Sequence, residues 1–232
     1  MRRYSLLLGV FACFSISSAL VRADIIGWTD WISGTSGPNG SAVGVINSSF
    51  NGQPIEVNVS YSGEIAFIQT GPGGTNYFIP SAPYVSATVS NPPPGPDIIA
   101  LSLATAKTLS FDQPVSNLLF AVVSLNGNGY RFDQDFEILS FGHGFWGNGT
   151  LSKVDNGNGT WDLIGTGEPH GTIEFTGTFT SVTWTSLTNE FWNGFNVGIR
   201  GVVPEPSSLA LLAITGLITT RSRWRRNSPR IA

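Results

Sequence analysis

Residues 55–61 read Ile-Glu-Val-Asn-Val-Ser-Tyr, and this stretch decides the fold class of the chain. Apolar and polar side chains alternate with a period of two, which is the pattern of a β-strand with one buried face. Ser62-Gly63 predicts a turn after this strand, and residues 65–68 predict the strand that returns beside it. The sequence therefore predicts antiparallel β-structure.

Six apolar residues without a break, Leu118 to Val123, predict a strand that is covered on both faces. Shorter strand patterns follow at 172–175, 181–184 and 195–199, with Gly, Asn, Pro and Ser between them. No amphipathic helix of useful length interrupts these patterns. Many short strands at this spacing favour an all-β fold, an antiparallel β-sandwich of jelly-roll type, formed by residues 24–201.

The first 23 residues have the layout of a cleaved secretory signal peptide. Met1-Arg2-Arg3 is basic, residues 6–20 are apolar with small residues mixed in, and Val21-Arg22-Ala23 places small residues at the positions that a signal peptidase reads. We expect cleavage at the end of this segment and export by the general secretion machinery. Cys13 allows a lipoprotein as the alternative, but Phe11 suits a lipobox poorly. Cys13 is the only cysteine, so the mature chain has no disulfide.

The charge of the body excludes one class of partner. Residues 24–203 carry fourteen acidic and four basic side chains, which leaves a formal charge of −10. Nucleic-acid binding needs a basic footprint that this body lacks, so nucleic acid is excluded as a partner. Calcium, neutral glycans and other proteins stay open as ligands.

The tetrapeptide Gly-Asn-Gly-Thr occurs twice, at 147–150 and 157–160. A repeated cation-binding loop is one interpretation, but the second copy lacks the spacing and the terminal glutamate of an EF-hand loop. Asn-Gly is a frequent turn in β-hairpins. We therefore predict two strands, Leu151 to Val154 and Thr160 to Ile164, joined by that turn.

Three carboxylates, Asp133, Asp135 and Glu137, alternate with the apolar residues Phe132 and Phe136. In a strand they would share one face, with the two phenylalanines on the other. A solvated outer face is the simpler interpretation. A calcium site with oxygen ligands is the alternative, because three carboxylates in a row repel one another unless water or a cation separates them.

The two histidines, His143 and His170, lie beside glycines in expected loops. Together with Glu168 or Glu190 they could bind zinc, but their spacing matches no zinc motif. We interpret both as turn residues with exposed imidazoles. The chain also has no nucleophile elbow of a serine hydrolase and no phosphate-cradling glycine loop, so the sequence predicts no enzyme.

Two tryptophans, Trp146 and Trp192, are the best candidates for contacts with a glycan. Both lie beside glycine, histidine or asparagine in expected loops, and an aromatic face stacks well on the apolar face of a sugar ring. Trp184 lies in an expected strand and is predicted to be core. The threonine-rich residues 172–188 could form a flat array, although threonine is also common in ordinary strands.

The C-terminal segment differs in composition from everything before it. Pro204, Glu205 and Pro206 are followed by an apolar block, residues 207–220. The block ends at a cluster of arginines: Arg221, Arg223, Arg225 and Arg226. As a helix the block would be about 21 Å long, shorter than a hydrocarbon core of about 30 Å, and the arginines would stay in the cytoplasm.

This order of tripeptide, short transmembrane helix and arginine cluster, over residues 202–226, closely resembles the PEP-CTERM sorting signal of Gram-negative bacteria. In that family an exosortase, a cysteine protease or transpeptidase of the membrane, recognises the tripeptide. The resemblance implies a membrane-bound precursor whose tail is removed, and a product at the cell surface or in the extracellular matrix, often alongside exopolysaccharide. The body is also similar to uncharacterised PEP-CTERM ectodomains at Gly167–Gly171 and Phe191–Phe195.

We therefore expect an exported, non-enzymatic protein that interacts with exopolysaccharide or other surface components. Its expected partners are the secretion machinery with signal peptidase, the exosortase and, transiently, the membrane. No cofactor is expected apart from the calcium considered above. Two alternatives remain: a secreted carbohydrate-active hydrolase that acts through Glu168 or Glu190, and an ice-binding protein, since some ice-binding proteins carry a tail of this kind.

Overall fold

The computed structural model describes residues 24–50 and 53–202. These residues form strands and a single 3-10 turn at Ala82–Tyr84, so the all-β prediction is confirmed. The strands are β1 Gly27–Thr35, β2 Gly37–Phe50, β3 Gln53–Ile65, β4 Phe67–Gln69, β5 Ile98–Leu101, β6 Ala106–Val123, β7 Gly129–Phe132, β8 Glu137–Gly142, β9 Gly149–Asp155, β10 Trp161–Gly167, β11 His170–Ser186 and β12 Asn193–Val202.

Two expected segments, the signal peptide 1–23 and the tail from residue 203 onward, lie outside the described residues. Val202, where the sorting segment was expected to begin, is still the last residue of β12 and pairs with Val115. Within 24–50 and 53–202, no helix is long and apolar enough to cross a bilayer.

The ladders between these strands are all antiparallel. Neighbours follow the order β4-β5-β12-β1-β2-β3-β6-β11-β7-β10-β9, and β8 pairs with β11. The long strand β6 changes its partner midway, because residues 108–111 pair with β3 whereas residues 115–123 pair with β12. The pairings from β12 through β1, β2 and β3 to β6 thus form a continuous cycle.

Two strands show how the sequence pattern becomes a core. In β3 the side chains of Val57, Val59 and Tyr61 are buried, and the polar residues between them are exposed. In β6 all of residues 118–123 are buried. The even-numbered residues of this run belong to the main core and the odd-numbered ones to a second cluster on the opposite face. The prediction of a strand covered on both faces is confirmed.

The second cluster is covered by the long connection between β4 and β5, residues 70–97. Phe78, Tyr84 and Val89 of this connection pack on the odd-numbered residues of β6. Asn91 fastens it to the start of β1, since its side chain accepts the N–H of Ile26 at 2.8 Å and donates to the Ile26 carbonyl at 3.0 Å. This connection carries aromatic residues to the site described below.

The predicted turn at Ser62-Gly63 is wrong. Strand β3 runs through these residues to Ile65, and β4 pairs with β5 instead of returning along β3. Gly63 has a φ of +148°, and a Cβ there would lie 2.9 Å from Cγ of the buried Lys107. This glycine therefore serves a close approach between strands rather than a reversal of the chain.

The predicted hairpin is confirmed. Strands β9 and β10 pair antiparallel, with Leu163 opposite Lys153, and the loop between them has Gly157 at φ +70° and Gly159 at +80°. Trp184 is core as predicted, 1% exposed, and its ring lies 5.3 Å from that of Phe120.

Candidate functional site

The two tryptophans predicted to contact a glycan lie side by side in the structure. Trp146 belongs to the loop between β8 and β9, and Trp192 directly precedes β12. Their ring centroids are 6.2 Å apart with the planes at 80°. Trp146 is 55% exposed, whereas Trp192 is partly buried against the second core cluster.

Tyr77, from the connection between β4 and β5, joins these two rings to others. Its ring lies 5.1 Å from Trp192 and 5.0 Å from Phe145, and it is stacked on Trp146 at 6.3 Å with an angle of 27°. Phe67 of β4 contacts Trp192 at 5.0 Å. The tryptophans are thus part of an aromatic cluster whose geometry is fixed by several elements.

A cavity of about 320 Å³ opens beside this cluster. It is lined by Ser124, Asn126, Trp146, Glu168, Glu190, Phe191 and Trp192. Phe191 is 95% exposed and forms part of the rim. We call this feature the acidic cavity. It unites the residues expected to bind a glycan, Trp146 and Trp192, with those named for the alternative hydrolase, Glu168 and Glu190.

Glu168 is held in place by hydrogen bonds from the residues that follow β6. The Ser124 hydroxyl and the Asn126 amide each donate to its carboxylate, and its own N–H donates to the Asn148 carbonyl at 2.9 Å. Ser124, the residue that follows β6, has a φ of +56°, which is a left-handed conformation. This carboxylate is therefore oriented before any ligand arrives.

Glu190 has a less polar environment. Burial raises the pKa of its carboxyl group, and the charge of Glu168 adds to this, while the amides of Asn128 and Asn193 oppose it. Its Oε2 atom is enclosed and accepts no hydrogen bond from the described residues, although Asn128 lies nearby. The carboxylate of Glu168 thus accepts hydrogen bonds at both oxygens, whereas Glu190 has one oxygen without a hydrogen bond from the part of the chain that the structure describes.

His170 is buried, so the prediction of an exposed imidazole is wrong for this residue. Its Nε2 accepts the N–H of Trp146 at 3.4 Å, and its Nδ1 bonds to the Tyr84 hydroxyl at 2.8 Å. The Tyr84 hydroxyl in turn donates to the Tyr77 carbonyl at 3.4 Å. Burial, with a smaller contribution from His143, lowers the pKa of His170 to about 4, so the ring is neutral at pH 7.

This arrangement positions two loops at once. A neutral ring with its proton on Nδ1 satisfies both hydrogen bonds, because Nε2 must accept from Trp146. Gly144 lies directly against the ring of His170, where any Cβ would overlap it. His143 is exposed, as the sequence predicts for both histidines. His170 is thus a positioning residue for Tyr77 and Trp146.

The three candidate calcium ligands do not lie in one strand, because β7 ends at Phe132 and β8 begins at Glu137. The Nζ of Lys153 lies 2.5 Å from Oδ1 of Asp135 and 3.6 Å from Oε1 of Glu137. Asp133 instead accepts the N–H of Thr183 at 3.2 Å. Among residues 24–50 and 53–202, no group of three or more His, Cys, Asp or Glu side chains converges on a possible metal position.

The threonines within residues 172–188 do not form one exposed array. Thr172 is fully buried, while Thr176, Thr178 and Thr180 are exposed. Thr183 lies opposite Thr108 of β6, with 3.4 Å between their hydroxyl oxygens. The stretch thus contributes to the core as well as to the surface.

The chemistry of the acidic cavity suits a small polar ligand with an apolar face. Aromatic rings supply flat surfaces for stacking, and carboxylates and amides supply hydrogen bonds in fixed directions. The segments 167–171 and 191–195 both reach it, through Glu168 and through Phe191 and Trp192. Tyr77, Ser124 and Asn126 were missed, because no local pattern marks a residue whose role comes from contacts distant in sequence.

No protein-family model, no curated protein and no solved structure matches this chain.

Proposed function

We propose that this chain is an exported surface or matrix protein that binds carbohydrate in the acidic cavity. The observation that carries this proposal is the convergence of Trp146 and Trp192 on a cavity that also holds oriented polar groups. Exposed aromatic rings at fixed angles give a sugar ring an apolar surface, and the volume lies at the lower end of ligand sites of about 300–1,000 Å³. We therefore propose binding, and not catalysis, as the main function of the cavity.

The finer architecture belongs to the same proposal. We assign the strands to a jelly-roll-like sandwich of two antiparallel layers around the main core. The partner change along β6 supports this arrangement, because a long strand that pairs with β3 and then with β12 can contribute to both layers. The outer face of one layer would then carry the second cluster and the acidic cavity.

The sorting of the protein is proposed from its sequence. Pro204, Glu205 and Pro206, the apolar block and the arginines resemble a PEP-CTERM signal, so an exosortase would process the tail at the membrane. Signal peptidase would release the other end after Ala23. The product would lie at the cell surface or in the matrix, where an exopolysaccharide is an available ligand.

A glycan array tests the binding function. The processed protein, purified from an exporting host, should bind a restricted set of glycans, and Trp146→Ala should abolish that binding without unfolding the protein. Ile32→Ala is a matched control, since Ile32 is 60% exposed on β1 and lies outside the cavity. Equal binding by the wild type and Trp146→Ala would show that the cavity is not the glycan site.

The pair of carboxylates favours a hydrolase as a second candidate. A glycosidase needs one carboxylic acid whose pKa is raised and a second carboxylate nearby. Glu190 has the raised pKa, and Glu168 lines the same cavity. In this candidate Glu190 is the general acid. A reducing-sugar assay on glycans that bind would show product formation, lost in Glu190→Gln, whereas intact glycans after prolonged incubation leave binding as the function.

A further inference from the structure

The acidic cavity holds two carboxylates but no basic group. Glu168 and Glu190 both line it, and its other walls are aromatic or neutral. The charge of Glu168 acts on Glu190, since it contributes to the raised pKa of that residue. Two like charges in a partly enclosed site repel each other, so a bound cation would lower the free energy of this arrangement.

The basic side chains of residues 24–50 and 53–202 are all engaged elsewhere. Three of them form ion pairs with carboxylates: Arg131 with Asp162, Lys153 with Asp135 and Glu137, and Arg200 with Glu174 and Asp24. The fourth, Lys107, donates to the carbonyls of Leu103 at 2.6 Å and Thr105 at 2.7 Å. Within this part of the chain, the protein supplies no counter-charge to the cavity.

The walls of the cavity also suit a cation. Trp146, Trp192 and Phe191 present aromatic rings, whose negative faces attract an ammonium group. Glu168 and Glu190 both line the cavity, and a hydrogen bond between an ammonium and a carboxylate is about twice as strong as a neutral one. Aromatic stacking and an acceptor for an ammonium group thus occur in the same site.

We propose that the saccharide bound in the acidic cavity carries a free amino group, as in a hexosamine without its N-acetyl group. The sugar ring stacks on the tryptophans, and the ammonium group lies between Glu168 and Glu190. A uronic acid is disfavoured, because its carboxylate would bring a third negative charge into the cavity. The body around the cavity also has a formal charge of −10. This inference rests on the proposed carbohydrate binding and names its ligand class.

Three tetrasaccharides test the inference by calorimetry on the processed protein: a glucosamine tetramer, its N-acetylated counterpart and an oligogalacturonate. We expect the glucosamine tetramer to bind about tenfold more tightly than the acetylated one, or about 1.4 kcal/mol, and the galacturonate not to bind. Glu190→Gln and Glu168→Gln should each reduce this preference. The same change at Glu56, an exposed carboxylate of β3 outside the cavity, should leave it unchanged.

The outcomes separate the two proposals. Equal or tighter binding of the acetylated tetramer, or a preference that persists in both glutamine variants, would overturn the amino-sugar inference while carbohydrate binding stands. Preferential binding that Trp146→Ala leaves intact would also overturn it, because the amine would then bind elsewhere. No binding of any glycan, here or on the array, would contradict the proposed function itself.

Discussion

The Nε2 atom of His170 accepts the main-chain N–H of Trp146 at 3.4 Å. Through its other nitrogen the same imidazole reaches Tyr84, and from there the carbonyl of Tyr77. One buried neutral ring therefore links two loops whose aromatic side chains stack on each other at the edge of the cavity. The geometry of the site depends on the protonation state of a residue that does not line it.

The stability of the protein should fall in mild acid because of His170. Its pKa is about 4 in the folded state against 6.5 as the ordinary value, so the unfolded chain takes up a proton first. The stability that comes from keeping His170 neutral is fully present above pH 6.5 and is lost as the pH falls towards 4. Below pH 4 this residue causes no further change in stability. The whole loss amounts to about 3 kcal/mol. Urea unfolding across this range measures it.

The control for this effect is His170→Gln, which removes the titrating group. The variant should be less stable at pH 7 but should show a smaller decline between pH 6.5 and 4. The same decline in both proteins would mean that other groups, chiefly carboxylates, cause the acid sensitivity.

Trp146 and Trp192 should respond differently to truncation. Trp146 is 55% exposed and keeps ring contacts on its buried side, so Trp146→Ala should lower the free energy of unfolding by only about 1 kcal/mol. Trp192 contacts both Phe67 and Tyr77, so Trp192→Ala should cost about 2 kcal/mol. Both variants should lose glycan binding. Thermal unfolding beside a binding assay distinguishes them, and equal stability losses would contradict the assigned packing.

Removing Arg200 should be strongly destabilising. Its guanidinium binds Glu174 through Nε at 2.5 Å and Nη2 at 3.2 Å, and both side chains are only 12% exposed. Arg200→Met leaves a nearly buried carboxylate without its partner, which should cost about 3 kcal/mol. Glu174→Gln in the same chain should restore part of this loss, as measured by urea unfolding.

Lys153→Met is the matched control for Arg200. Its partners, Asp135 and Glu137, are 56% and 69% exposed, and an exposed ion pair contributes less than about 1 kcal/mol. A loss as large as that of Arg200→Met would show that exposure does not decide the strength of these pairs.

Calcium should not stabilise the protein through Asp133, Asp135 and Glu137. Lys153 already neutralises part of this charge, and Asp133 bonds elsewhere. We therefore expect no change in the melting temperature in millimolar calcium. A rise that disappears in an Asp133→Asn, Asp135→Asn variant would support the calcium site instead, because a ligand stabilises the state that binds it.

The tail should be needed for processing. In the proposed sorting, the two prolines would keep the tripeptide extended for the exosortase, so Pro204→Ala with Glu205→Ala should leave an uncleaved precursor in the membrane. Deleting Arg221 to Arg226 should let unprocessed protein escape to the periplasm, since in the proposed sorting these charges would keep the end of the apolar block in the cytoplasm. Blots of fractionated cells, with and without the exosortase, measure both. Full-length protein as the stable surface form in both hosts would contradict processing.

The sequence by itself determined the strand content and the core faces. In residues 55–61 the period of two predicts which side chains are buried, because alternate residues of a strand point to opposite faces. The apolar run at 118–123 predicts burial on both faces. The hairpin of β9 and β10 was equally readable, since Asn-Gly turn chemistry lies within a few residues. Predictions of this kind need no distant contact.

Only the tertiary structure decided which strands pair with each other. The strand at 67–69 pairs with β5 rather than β3, and the glycine at 63 marks a close approach, because pairing follows from the packing of the whole sheet. The same holds for the site. Trp146, Glu168 and Trp192 could be named from sequence, but only the assembled fold places them around one cavity and buries His170 behind them. The burial of His170 and the proximity of these side chains depend on contacts distant in sequence, and no local pattern encodes such contacts.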